Sequence, residues 1–341
     1  MAVTMRDVAA RAGVSLVTVS RVINGHISVH ARTRARVHAA VEELGYVPDQ
    51  MASSLRSRQT NTLALMLPTI ANSFWTTIAR GIEDEAEVRG YSVFLCNTDD
   101  DLAKEARYLD VLVRRRVEGI VIAPTAASAE PLLRVQQRNM PIVQVHRRLD
   151  AVAADSVRSD SRGGAAALTQ QLLALGCRRI AFLGASPTIS PSRDCLVGFE
   201  DTMMRAGIPV EPALVRLGRA APEVGHALTT ELLQDVRPEA ICIGNSRLAV
   251  GALRALSDIG LRVPEDIVVA TFYDITALDA YSPSLITAVQ PAYGIGRRGA
   301  QRLFERIAGL ATPPTDIILP SALNVRPLTR PAALDIAVAA R

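Results

Sequence analysis

The chain has 341 residues, 49% of them apolar, and a formal net charge of +4, which calls for two or three folding units with large cores and leaves little room for wholesale disorder. No apolar run reaches the ~18–20 residues of a membrane span, and Arg6 and Asp7 stand where a secretion signal would need its apolar stretch, so a cytoplasmic protein without a membrane partner is expected. Cys96, Cys177, Cys195 and Cys242 lie far apart, with no CxxC pair and no His at ligand spacing, which reads as reduced structural thiols and argues against a disulfide framework, a metal site or a cofactor cluster.

The charge is unevenly placed. Residues 1–60 carry eight Arg against four acids, while the remaining chain holds thirty basic and thirty acidic groups. A basic head on a neutral body suits a polyanion partner, although a solvated basic face has the same composition.

The head opens with TMRDVAARAGVSLVTVSRVINGH, residues 4–26. Thr4 caps a helix over Met5–Ala12 with Asp7 three residues on, and Val8, Ala9 and Ala12 fall on one face. Gly13 ends that helix, and Ser15 caps a second over Leu16–Ile23, stopped by Asn24-Gly25. Val14, Val19 and Val22 can hold the second helix to the first and to a third, Ala31–Leu44, which Gly45 terminates. Two short helices around a tight glycine turn make the helix-turn-helix pattern.

The other face of the second helix carries Leu16, Val17, Thr18, Ser20 and Arg21. A helix entering a major groove reads base edges with its N-terminal side chains, and small residues let the backbone approach. Arg can donate twice to a guanine edge, and Val or Leu can meet a thymine methyl. Asn24, His26, Thr33 and Arg34 are placed for phosphates, and Thr4 and Ser15 join the candidate DNA contacts. A small structural bundle is the alternative use of such a face.

Beyond it lies Asp49–Ser57, nine residues of which only Met51, Ala52 and Leu55 are apolar. It is shorter than the ~12–15 residues at which isolated helices become marginal in water. By composition alone it is a linker.

Together, TMRDVAARAGVSLVTVSRVINGH and TRARVHAAVEELGYVPDQMASSLR resemble the DNA-binding head and hinge of the LacI/GalR (lac repressor) family of bacterial transcription regulators. His30 departs from the Ser that usually caps the third helix in that family, and His caps poorly. The resemblance implies that two hinge segments of a homodimer pair as helices in the minor groove, with Met51 and Ala52 in contact and Leu55 wedged into the central base step. Unstacking costs a few kcal/mol and is offset by the surface that bent DNA wraps.

Past Thr60 short apolar runs alternate with longer amphipathic stretches. Strands are expected at Leu63–Leu67, Ser92–Cys96, Gly119–Ala123, Pro141–Val145, Arg179–Gly184, Ala240–Gly244, Ile267–Phe272 and Leu285–Val289, with helices over 73–89, 101–116, 161–175, 193–206, 245–259 and 291–309. Alternating βα units imply parallel sheets covered on both faces, and a stretch this long divides more readily into two doubly wound subdomains than one. Ligands of such sheets sit beyond the carboxyl ends of the strands.

LPTIANSFWTTIARGIEDEAEVRGYSVFLCNTDDD and NSRLAVGALRALSDIGLRVPEDIVV resemble the same family's effector domain, which is built like a periplasmic sugar-binding protein. The expected fold is thus a small all-α helix-turn-helix head on an α/β body of two doubly wound parallel-sheet subdomains. The expected domains are 1–47 for the head, 48–60 for the hinge, and 61–341 for effector binding and dimerisation. The last divides into interleaved parts of roughly 61–160 with 291–320, and 161–290 with 321–341.

Candidate cleft residues follow strands or open helices: Asn72, Phe74, Trp75, Arg147, Asp160, Arg193, Asn245 and Gln290. Trp75, the only tryptophan, can stack on a sugar face or close the core. The resemblance places effector contacts at Arg193 and Asn245, but Ser246 stands where the family has Asp. The family's sugar-binding Asp near residue 273 aligns with Tyr273 without a gap and with Asp274 after a one-residue slip. Two arginines with fewer acids suit an anionic effector such as a sugar acid.

Gly294-Ile-Gly296-Arg-Arg-Gly299 spells GxGxxG, but Pro291 precedes it and a helical pattern runs through the glycines, against a dinucleotide site. The Asp99–Asp101 run reads as a solvated helix start. Two functions remain: an effector-controlled DNA-binding repressor, or a solute-binding or metabolic α/β protein with an incidental helical head. The second asks for a secretion signal or a poised nucleophile–base pair, and neither is visible, so no enzyme is expected. The C-terminal ALDIAVAAR lacks the Leu-heptad tail that makes tetramers in part of the family, so dimers are expected.

Overall fold

The computed structural model describes residues 3–23, 29–46, 60–273 and 285–324. It divides into two compact units, Met1–Thr60 and Asn61–Arg341.

In the first unit, α1 (Met5–Ala12), α2 (Leu16–Ile23) and α3 (Ala31–Leu44) form where capping and periodicity place them. The Asp7 carboxylate accepts from the Thr4 backbone N–H at 2.8 Å and from its hydroxyl at 2.7 Å. Gly13 ends α1 at φ +61°, a left-handed conformation that suits glycine. Ser15 Oγ accepts from the Thr18 N–H at 3.2 Å and opens α2. His30 makes no side-chain cap on α3. Val8, Ala12, Val19, Val22, Val37 and Ala40 close a core between the three helices.

The second unit holds two six-stranded sheets. The first contains β1 (Thr62–Leu67), β2 (Ser92–Asn97), β3 (Gly119–Ile122), β4 (Ile142–Val145), β5 (Asp155–Ser159) and β11 (Asp316–Leu319), in the order β11-β5-β4-β3-β1-β2. Every pair in it is parallel. The second contains β6 (Ile180–Ala185), β7 (Val215–Gly218), β8 (Ala240–Ile243), β9 (Val268–Tyr273), β10 (Leu285–Val289) and β12 (Ala322–Asn324), in the order β12-β10-β9-β8-β6-β7. Only β10 and β12 run antiparallel there.

The period-two pattern sends alternate residues to opposite cores. Leu63, Leu65 and Leu67 of β1 pack under α4 (Ser73–Glu87) and α11 (Ala292–Ile307), while Ala64 and Met66 face α5 (Leu102–Arg115) and α6 (Glu130–Gln136). The second sheet is covered likewise by α7 (Ser161–Ala174) with α8 (Ser190–Arg205), and by α9 (Pro222–Asp235) with α10 (Ser246–Ile259). Sheets buried on both faces need crossover helices, and those helices start where the strands end.

Three crossings join the sheets: β5 into α7, β10 into α11, and β11 into β12. Gly294–Gly299 lies inside α11, where a Cβ on Gly296 would meet the Ile78 carbonyl oxygen at 2.0 Å. Gly296 therefore lets α11 close on α4, and Gly299 lets it settle on Val145 of β4.

Periodicity does not mark four of the strands. β5 reads Asp-Ser-Val-Arg-Ser, yet it is buried because Asp155 has partners. Asp155 is 1% exposed, with Arg306 Nε at 2.5 Å and Arg302 Nε at 3.0 Å. The Thr315 N–H donates to it at 2.8 Å. Burial opposes ionisation, but bonds from Arg306, Thr315 and Arg302 outweigh it and hold the carboxyl below its usual range.

Removing one partner of a buried ion pair strands the others. Asp155→Ala is expected to lower stability by about 3–5 kcal/mol in urea unfolding. A cost below about 1 kcal/mol would show that the cluster is solvated.

Glu105 on α5 is fully buried and accepts from the Thr125 N–H at 2.8 Å. Burial pushes its carboxyl up to about 7, against the opposing pull of Thr125 and Arg147. A raised carboxyl pKa means the folded protein holds a proton that the unfolded chain has released, so this stability is complete below the unfolded pKa of 4.5 and is lost as pH rises through about 7. The loss amounts to roughly 3 kcal/mol at ~1.36 kcal/mol per pKa unit. Glu105→Gln is expected to flatten the fall in melting temperature between about pH 5 and about pH 8; an unchanged slope would remove Glu105 as its source.

Candidate functional site

On α2 the buried face is Val19 and Val22, which leaves Leu16 43% and Val17 60% exposed at the helix start. Single exposed apolar side chains are ordinary, but these two are adjacent and stand where a groove-reading helix presents its contacts. Ser15 is exposed and Thr18 half-buried, with their hydroxyls 2.9 Å apart. Ser20 is half-buried on the following turn, and Arg21 is exposed with no ion pair among the described residues. Thr4 is exposed, with its hydroxyl donated to Asp7.

Thr33 and Arg34 are half-buried on the first turn of α3, and Arg34 Nη2 donates to the Val29 carbonyl at 3.4 Å. Two other cations of the head are occupied. Arg11 pairs with Glu43 at 2.6 Å, and Arg36 donates to the Ala12 and Gly13 carbonyls. Asn24, His26, Met51, Ala52 and Leu55 lie outside the described residues.

Within the body, the carboxyl ends of strands from both sheets line one cavity of about 90 Å³. Six of the expected effector residues, Asn72, Phe74, Trp75, Arg147, Asn245 and Gln290, line it. Asn72 Oδ1 caps α4 by accepting from the Phe74 N–H at 2.9 Å, and Asn245 Oδ1 caps α10 by accepting from Arg247 and Leu248 at 3.0 and 3.3 Å. Gln290 Nε2 donates to Ser159 Oγ at 2.8 Å.

Trp75 closes the core and also borders the cavity. It is 6% exposed and packed under α4. Its ring meets Phe74 and His146 edge to face at 5.2 and 5.3 Å, and Arg147 lies over it at 5.6 Å. The Arg147 guanidinium also grips Asp100 through both Nη atoms.

Asp160 and Arg193 are placed elsewhere. Asp160 caps α7, with Oδ1 accepting from Gly163 at 2.8 Å, and is absent from the cavity lining. Arg193 is exposed toward Asp150 at 3.8 Å, also outside the lining. Tyr273 ends β9 without a described side chain, and Asp274 lies outside the described residues.

The lining adds His146, Ser192 and Arg247, which the sequence does not mark, and Asp100 and Cys195, which it marks only as part of a solvated helix start and as a structural thiol. His146 sits at φ +60°, and burial, assisted by Arg147, pushes its imidazole down to about 3, so it is neutral. Its Nδ1 is buried without a hydrogen-bond partner among the described residues. Burial drives the Cys195 thiol well above its ordinary value, so it stays protonated. Arg247 lies one residue past the Ser246 noted in the sequence, so the one signal available was its place on the first turn of α10.

Among the described residues no group of three or more His, Cys, Asp or Glu is arranged to hold a metal, and no helix is long and apolar enough to cross a membrane. The cavity offers an aromatic wall, amide and hydroxyl groups, and fixed cations, which is a binding surface.

Comparison with known proteins agrees with both units. Residues 4–49 match the bacterial regulatory proteins of the lacI family, and residues 60–326 match the periplasmic binding proteins and sugar binding domain of LacI family. The chain is 34% identical over 307 residues to the HTH-type transcriptional regulator RegA of Clostridium saccharobutylicum, covering 89% of this chain and 92% of the relative. It is also 34% identical to the ribose operon repressor of Escherichia coli (strain K12), over 89% of this chain and 93% of that protein. The crystal structure of the lac repressor dimer bound to operator and the anti-inducer ONPF superposes with a TM-score of 0.86 at 28% identity, covering 95% of this chain and 98% of that one. The helix-turn-helix head, the two parallel-dominated sheets and these likenesses have one reading: the chain belongs to the LacI family of bacterial transcription regulators, with a DNA-binding head and an effector-binding body.

Proposed function

We propose that this regulator is a cytoplasmic repressor that acts as a homodimer, with two copies of α2 docked in the major grooves of a pseudo-palindromic operator. The observation that carries this is the outer face of α2, where Leu16 and Val17 stand exposed beside Arg21, which has no ion pair among the described residues. In this reading Leu16, Val17, Thr18, Ser20 and Arg21 meet base edges, while Thr4, Ser15, Asn24, His26, Thr33 and Arg34 hold the backbone. The hinge, residues 48–60, sets Met51, Ala52 and Leu55 in the minor groove, as the family resemblance implies.

A sugar or sugar acid between the two sheets of the body is the effector, contacted by Asn72, Trp75, Arg147, Asn245 and Gln290. It shifts operator affinity only by its differential affinity for two arrangements of the body, typically about 1–3 kcal/mol. The protein works by binding and not by catalysis. The domain division follows: 1–47 reads DNA, 48–60 couples, and 61–341 binds effector and partner subunit. Dimerisation is supported by the operator-bound dimer of the lac repressor.

A gel-shift titration tests the reading. Operator affinity is expected to fall with log salt at about 0.9 per phosphate neutralised. Arg21→Ala is expected to relax preference at one position per half-site, with a loss of about 1–3 kcal/mol there. A flat salt dependence, or no preference for any duplex, would favour a solute-binding or metabolic protein with an incidental head.

A further inference from the structure

We infer that the ligand of the body's cleft is a monoanion, a sugar carrying one carboxylate, and that Arg247 receives that carboxylate. The inference rests on the cleft being the effector site and names the chemical class that fills it.

Charge in the cleft is countable. Among the described residues its lining holds two guanidiniums, Arg147 and Arg247, and one carboxylate, Asp100. Asp100 is committed to Arg147 through two bonds, and that guanidinium is further held over the Trp75 ring at 5.6 Å. This pair forms a neutral, fixed wall. His146, whose imidazole is neutral, adds no charge.

Arg247 is different. It is half-buried on the first turn of α10, and its guanidinium has no ion pair and no hydrogen bond to any described residue. Its charge is felt by Glu223, whose carboxylate is taken by Arg219 at 2.9 Å. A cation drawn from water needs a counter-charge, and a ligand that closes the cleft over Arg247 makes that need sharper. A neutral sugar leaves it unmet. A carboxylate meets it in the planar, two-bond geometry that guanidinium favours.

The surroundings lean the same way. Helices α4, α7, α8 and α10 all bring first-turn residues to the lining: Phe74, Ser161, Ser192 and Ser246. Helix N-termini carry partial positive charge; the Asp160 carboxylate already meets that of α7, and the other three raise the cavity's preference for an anion. One unpaired guanidinium matches one negative charge, whereas a phosphate monoester brings nearly two. The hydroxyls of the ligand meet amides such as Gln290, and the orphaned Nδ1 of His146 offers a further partner.

Calorimetric titration of the full chain with D-gluconate, D-galacturonate, D-glucose, D-galactose and glucose 6-phosphate tests this. At least one acid is expected to bind about tenfold or more tighter than its neutral counterpart, and Arg247→Gln to erase that preference. Arg247→Lys is expected to keep part of it, since the charge stays while the fork is lost. A neutral sugar that binds as tightly as its acid, an acid unaffected by Arg247→Gln, a preference for the phosphate, or no binding by either acid would each overturn the assignment. Gel shifts with the same ligands separate it from the effector reading. A neutral sugar that changes operator affinity sinks the carboxylate and keeps the effector site. An acid that binds through Arg247 without changing operator affinity keeps the carboxylate and sinks the gating.

Discussion

Parallel pairing is the constraint on which the body depends. Parallel neighbours cannot be joined by a tight turn, so most strands hand the chain to a crossover helix, while β4 reaches its parallel neighbour β5 through the irregular stretch 146–154. All carboxyl ends in a sheet therefore gather on one rim, and the helices that follow open there with their amide groups unsatisfied by the helix itself. Here the rims of two sheets contribute to one cavity, and side-chain caps such as Asn72 and Asn245 are both structural and exposed to it. The ligand cavity follows from the way the two sheets are wound.

The crossings give that cavity two walls instead of one. Arg158 of β5 reaches Asp194 of α8 at 3.0 Å and Asp316 of β11 at 2.7 Å, and Arg148 reaches Asp316 at 2.8 Å. The Arg148 N–H also donates to Ser190 Oγ at the start of α8. These ties fasten the strands of the first sheet to a helix of the second close to where the chain passes between them. Partly buried charged pairs hold their geometry while remaining able to re-form, which suits a joint better than an apolar seam does.

The head was legible almost residue by residue, because short helices depend on caps and glycine stops that are local in sequence. Thr4 with Asp7, Gly13, Ser15 and Gly45 each act where the pattern puts them. Eight strands of the body were also legible within a residue or two, because each carries a continuous apolar run, which in the central strands follows from burial on both faces. β5 was not, because its burial rests on Asp155 meeting Arg302 and Arg306, partners about 150 positions away. β7, β11 and β12 are short and lie at or next to sheet edges, where one face can stay polar. Helix α9 hides because Gly225 interrupts its apolar period, and that glycine is needed where a Cβ would meet the Leu248 carbonyl oxygen at 2.2 Å. In the cleft, strand-end positions such as Asn72, Arg147 and Asn245 could be read, but the state of each charge could not. Arg147 looks free in sequence and is held by Asp100, whereas Arg247 looks like an ordinary solvated helix residue and stands at the cavity wall with no ion pair among the described residues.

Regulation in this account is a coupling between two binding events on one chain, and coupling is reciprocal. The direct measurement is the affinity of a cleft ligand for the protein alone and for the protein saturated with operator DNA. The account predicts that operator changes ligand affinity by the same factor by which ligand changes operator affinity, about five- to 150-fold in the range usual for such linkage. Identical ligand affinities with and without operator would contradict it.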